Sequence, residues 1–70
     1  MKSMKDVYDL LKRYGIFIYT GDRQGDLLLM EDEIRDLYKS KVLDPKEFQS
    51  AMILLRHEAS RIVTDEKNIQ

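Results

Sequence analysis

The residues most able to do chemistry stand in one run, Lys12-Arg13-Tyr14-Gly15-Ile16-Phe17-Ile18-Tyr19-Thr20-Gly21-Asp22-Arg23, where three aromatic rings are interleaved with three cations. Aromatic faces stack on nucleobases whatever their sequence, and Lys and Arg meet phosphates, so this mixture suits contact with a single strand of nucleic acid. In an extended stretch Phe17 and Tyr19 project to one side while Ile16 and Ile18 take the other. Two arrangements follow. If the isoleucines pack inward, the two rings and Arg23 face solvent; if not, Phe17 and Tyr19 complete a small core. The expected binding residues are Lys12, Arg13, Tyr14, Phe17, Tyr19 and Arg23.

Other chemistries find little support. Nucleophilic catalysis needs an activated Ser, Cys or Lys beside a base; the chain has no Cys and one His. That residue, His57, lies about 200° round its helix from Leu55 at ~100° per residue, on the solvent side. No enzymatic activity, cofactor or small-molecule substrate is expected. Asp22, Asp26, Glu31, Asp32 and Glu33 gather carboxylates that a hard cation would accept, but their spacing follows no calcium loop. They read as a helix cap and a solvated first turn, so no metal site is expected. Gly21 and Gly25 lack the Gly-Lys-Ser/Thr ending of a phosphate-binding loop, and the acid that follows them, Asp26, would repel phosphate.

A second surface feature is apolar. Leu28 and Leu29 lie wide of the stripe containing Ile34, and Ile53 points about 160° away from the core direction of its helix. Leu28 and Leu29 could cover the aromatic linker, and single exposed apolar residues are common. Joined with Ile53 in one patch, they would instead mark a site for a protein partner or a second copy of the chain.

The elements that must position these groups are helical. Ser3 caps a first helix over about 3–14, with Asp6 as first-turn acid, Val7, Leu10, Leu11 and Tyr14 on one face, and Gly15 as a left-handed end. Residues 16–25 form an extended aromatic linker and a turn. Asp26 is read as the cap of a second helix to about 40, with Leu27, Met30, Ile34, Leu37 and Tyr38 as its stripe. A third helix over about 44–64 starts at Asp44-Pro45-x-Glu47, a capping box, with Leu43 and Phe48 as a hydrophobic staple. Phe48, Met52, Leu55, Ala59 and Ile62 form its buried face, widened by Ala51, Leu54 and Val63. The tail 65–70 is expected to fray.

Seventy residues suffice for one domain with one modest core. The short join between the second and third helices makes them antiparallel neighbours. The expected fold is all-α, a small three-helix bundle with an extended aromatic linker between helices one and two, occupying 1–70 as a single domain. Twelve Lys+Arg against thirteen Asp+Glu leave a net charge of -1. No global field recruits a polyanion, so nucleic-acid binding rests on a local patch. No long apolar run follows Lys2 and Lys5, so neither a signal peptide nor a membrane span is expected, and the chain is placed in the cytoplasm.

Tyr14-Gly15, Phe17-Ile18-Tyr19-Thr20-Gly21-Asp22-Arg23, Leu29-Met30-Glu31, Leu37-Tyr38 and Leu54-Leu55-Arg56-x-Glu58 together resemble the YqgQ-like family, short and largely uncharacterised cytosolic proteins of Gram-positive bacteria. The resemblance spans residues 4–61, and the Phe-Ile-Tyr-Thr-Gly-Asp-Arg run is its most specific part. It implies a three-helix bundle and a role in binding single-stranded RNA or DNA, and it carries over no catalytic residues. The competing expectation is a protein-interaction adaptor or homodimer that uses Leu28, Leu29 and Ile53.

Overall fold

The computed structural model describes the backbone of residues 1–68 and the side chains of residues 1–62. It contains three helices, α1 (Met4–Arg13), α2 (Arg23–Lys39) and α3 (Pro45–Asn68).

The starts of the three helices and the ends of α1 and α2 carry local signals. At α1 the Asp6 carboxylate accepts the Ser3 amide at 3.1 Å and the Lys2 amide at 2.7 Å, so even the shorter acid reaches back to the cap. These two donors hold the Asp6 carboxyl below its usual value of 3.8. The helix closes with Gly15 at φ 72, where Ile16 N–H reaches Leu11 C=O and Gly15 N–H reaches Lys12 C=O, both at 3.0 Å. This paired closure needs a left-handed residue, which glycine supplies without a steric penalty.

The same closure ends α2. Val42 N–H bonds Leu37 C=O at 2.9 Å and Lys41 N–H bonds Tyr38 C=O at 3.0 Å. Here the left-handed residue is Lys41, at φ 63, although an L side chain is strained in that region. At α3 the capping box forms as expected: Glu47 N–H donates to Asp44 Oδ1 at 2.7 Å and Asp44 N–H to Glu47 Oε1 at 3.3 Å. Leu43 is buried beside it, while Phe48 packs on the core and stacks against Tyr38 with ring centroids 4.2 Å apart.

Two boundaries differ from expectation. α2 starts at Arg23 with Asp22 as its cap, four residues before the expected cap Asp26. The first helical bond, Asp26 N–H to Asp22 C=O at 2.8 Å, places Asp26 inside the helix. A Cβ at residue 25 would lie 2.9 Å from Asp22 Oδ2, so Gly25 leaves that carboxylate room beside the first turn. At the other end, α3 extends through Asn68, four residues past the expected end near 64. Positions 69 and 70 lie outside the described residues, as does the side chain of Val63.

α2 packs chiefly on α3, and α1 docks against α3. Gln24 and Leu28, early in α2, share a hollow with Leu55 and Ala59 well along α3, whereas Tyr38 near the end of α2 meets Phe48 near the start of α3. The two helices are therefore antiparallel. The core is drawn from Val7, Leu10 and Leu11 of α1, Leu27, Met30 and Ile34 of α2, Leu43, and Ala51, Met52 and Leu55 of α3. Tyr14 and Tyr38, expected on buried stripes, stay partly exposed at the helix ends, where a phenol can keep its hydroxyl in water. No helix among the described residues is long and apolar enough to cross a membrane.

Candidate functional site

Between α1 and α2 the chain crosses the bundle as an extended strap. Ile16 and Ile18 pack against the core, and the alternation of an extended backbone then turns Phe17 and Tyr19 outward. Phe17 is 74% exposed and Tyr19 91% exposed. Of the two arrangements open to the sequence, the structure takes the one that displays both rings.

The strap is fastened at its far end by two buried charged side chains, Asp26 and Glu58, the only ones among the described residues. Asp26 Oδ1 accepts the Thr20 amide at 2.9 Å and the Thr20 hydroxyl at 2.6 Å. The Thr20 hydroxyl oxygen in turn accepts the Asp22 amide at 3.3 Å. Glu58, on α3, accepts Arg23 Nη2 on one oxygen and Arg61 Nη1, at 3.2 Å, on the other. One carboxylate therefore ties Thr20, next to Tyr19, to the first turns of α2, and the other ties the start of α2 to α3. Among the described residues no fully buried side-chain nitrogen or oxygen lacks a partner.

Beneath the rings runs an open groove of about 260 Å³, lined by Tyr8, Leu11 and Lys12 of α1 and by residues 16–19 of the strap. Its size is near the lower end of ligand clefts, enough for a single ring rather than a large molecule. Lys5, Tyr8 and Lys12 stand at i, i+3 and i+7, so they share one face of α1. Lys5 forms an exposed pair with Asp9 at 3.7 Å, an interaction worth roughly 0–1 kcal/mol that leaves the ammonium free to exchange partners.

The structure unites only part of the expected set. Lys12, Phe17 and Tyr19 meet in the groove. Arg13 lines a different groove, with Lys2, Asp6, Asp9 and Glu47, because one step along a helix turns the side chain by about 100°. Tyr14 stands at the end of α1 and does not line the aromatic groove. Arg23 pairs with Glu58 through Nη2 and does not line the aromatic groove, although its side chain stays 66% exposed. Tyr8 belongs to the groove and was missed; its signal was an aromatic off the Val7-Leu10-Leu11 stripe, four residues before Lys12. Asp26 and Glu58 support the site in ways only the tertiary contacts reveal.

The apolar residues divide in a similar way. Leu28 and Ile53 are exposed on the α2–α3 side, and the hollows they line share Arg56. Leu29 lines neither hollow and sits on the other flank of α2. Neither leucine hides the strap, given the exposure of Phe17 and Tyr19. Among the described residues no group of three or more His, Cys, Asp or Glu side chains is placed to hold a metal ion.

These features define a small all-α three-helix bundle that displays an aromatic strap. Residues 1–61 match the YqgQ-like family, and the chain belongs to it. A relative from Bacillus subtilis (strain 168), described as "Uncharacterized protein YqgQ", is 34% identical over 58 residues, which cover 83% of this chain and 82% of the relative.

Proposed function

We propose that this domain is a non-catalytic module that binds single-stranded nucleic acid in the cytoplasm, through the strap and the adjoining face of α1. The observation that carries the reading is the outward presentation of Phe17 and Tyr19 by a strap whose isoleucines are anchored in the core. Tyr8 and Lys12 complete a surface on which bases stack while Lys12 and Lys5 meet phosphates. Each base stacked on an aromatic ring contributes about 1–3 kcal/mol. Two engaged lysines predict a dependence of log K on log salt with a slope of about -1.4, shallow because so few phosphates are neutralised. The proposed contact set is thus Lys5, Tyr8, Lys12, Phe17 and Tyr19, with Arg13, Tyr14 and Arg23 outside it.

Fluorescence-anisotropy titration of labelled single-stranded RNA and DNA, at low and physiological salt, tests the reading. Salt-sensitive binding that disappears in the Phe17→Ala/Tyr19→Ala variant, with its circular dichroism unchanged, supports it. Absence of binding at low salt, or equal binding by the variant, removes it.

A further inference from the structure

On the face formed by α2 and α3 lies a hollow of about 310 Å³, floored by Leu27, Leu55 and Ala59. Leu28 stands on its α2 wall and is 63% exposed, and Ile53, three positions before Arg56 on α3, is 61% exposed. The two walls carry opposite charges, Glu31 on α2 and Arg56 on α3. Glu31 reaches Arg35 only at 3.9 Å. Arg56 has no carboxylate within ion-pair distance among the described residues, whereas Arg23 and Arg61 both hold Glu58. None of these hollow-lining residues takes part in the aromatic groove.

We infer that this face is the contact between two copies of the chain, related by a two-fold axis. In it Leu28 of each copy enters the hollow of the other, and Arg56 of each pairs with Glu31 of the other. A two-fold contact uses the same patch twice, so the patch must carry both halves of every complementary feature. This one does: an apolar knob beside an apolar hollow, and an anion facing a cation across it. An acidic peptide would satisfy Arg56 but meet Glu31, and a basic peptide would meet the reverse conflict; a second copy satisfies both charges together. The net charge of -1 sets up little repulsion between copies. A chain this short also has reason to associate, because a small domain buries a smaller fraction of its apolar surface by folding alone. The aromatic straps stay uncovered, so the contact does not depend on what they bind.

Sedimentation velocity of the full chain, from micromolar to millimolar concentration, tests this. A reversible monomer–dimer equilibrium is expected, with Leu28→Asp monomeric throughout. Leu28 is exposed, so that variant should fold, and its circular dichroism checks the point. Glu31→Arg and Arg56→Glu should each raise the dimer dissociation constant by about tenfold, and the double reversal should restore it. A wild-type chain that remains monomeric overturns the inference. So does a dimer unaffected by Leu28→Asp, or a double reversal no tighter than the single ones.

Discussion

Asp26 and Thr20 are joined by two hydrogen bonds, from the amide and the hydroxyl of Thr20 to the same carboxylate oxygen, at 2.9 and 2.6 Å. The acid is 7% exposed, and its partner is the residue that follows the most exposed ring of the strap. A carboxylate expected to cap its own helix lies inside the first turn of α2 and holds the segment in front of it. The direction of Tyr19 therefore depends on a side chain seven positions further along the chain.

Removing that acid should cost more than removing the hydroxyl. Asp26→Ala loses both bonds to a charged acceptor and should destabilise the domain by about 2 kcal/mol, whereas Thr20→Val should cost about 1 kcal/mol. The two share one interaction, so the double variant should fall short of the sum. Urea unfolding of all three variants measures this, and additive effects would show that the pair is not coupled.

Glu58 should behave asymmetrically. It is 6% exposed, but the arginines that pair with it are largely in water. Glu58→Met removes a buried charge without stranding another, and stability should stay within about 1 kcal/mol of wild type. The Arg23→Ala/Arg61→Ala variant leaves the buried carboxylate without either guanidinium and should cost about 3 kcal/mol. Paired denaturation curves would decide it; equal losses would contradict the reasoning.

Lys41 offers a stabilising change. Its φ of 63 belongs to the region glycine enters freely, and its side chain is exposed. Relief of the left-handed strain, less the extra entropy glycine brings to the unfolded chain, should leave Lys41→Gly more stable by about 1 kcal/mol. In a domain of this size that raises Tm by about 4–8 °C, readable by calorimetry. A lower Tm would mean that Lys41 contributes something its backbone does not show.

Asp6 gives a pH dependence with a definite sign. Its folded carboxyl titrates below 3.8 because the Lys2 and Ser3 amides favour the anion. A depressed acid stabilises the fold fully above its unfolded pKa, and that contribution disappears as pH falls through the folded value. Asp6→Asn should therefore lower Tm at pH 7, and the difference from wild type should vanish in strong acid. A difference that persists there would assign the effect to geometry instead of charge.

Local chemistry was legible wherever neighbouring residues decide the structure. The Asp44-Pro45-x-Glu47 box, the Gly15 closure and the stripes of α1 and α3 can be read from spacing, because a helix fixes which side chains share a face and which residues can satisfy its free ends. The alternation of Ile16, Phe17, Ile18 and Tyr19 likewise allowed only two arrangements. The start of α2 was less legible: its spacing points to Asp26 as the cap, whereas the structure caps α2 at Asp22 and engages Asp26 with Thr20.

By itself, then, the sequence determined three helices, their order and the strap between two of them, since propensity, capping and periodicity act over a few residues. The tertiary structure alone decided which side of the strap faces solvent, because that depends on whether the α1–α3 core has room for two isoleucines or for two rings. It also decided which cations remain free. Arg23 and Lys12 look alike in the chain, but Glu58, thirty-five residues beyond Arg23, reaches one and not the other. Charge and burial are properties of neighbours in space, and these neighbours meet only once α3 has packed against the rest.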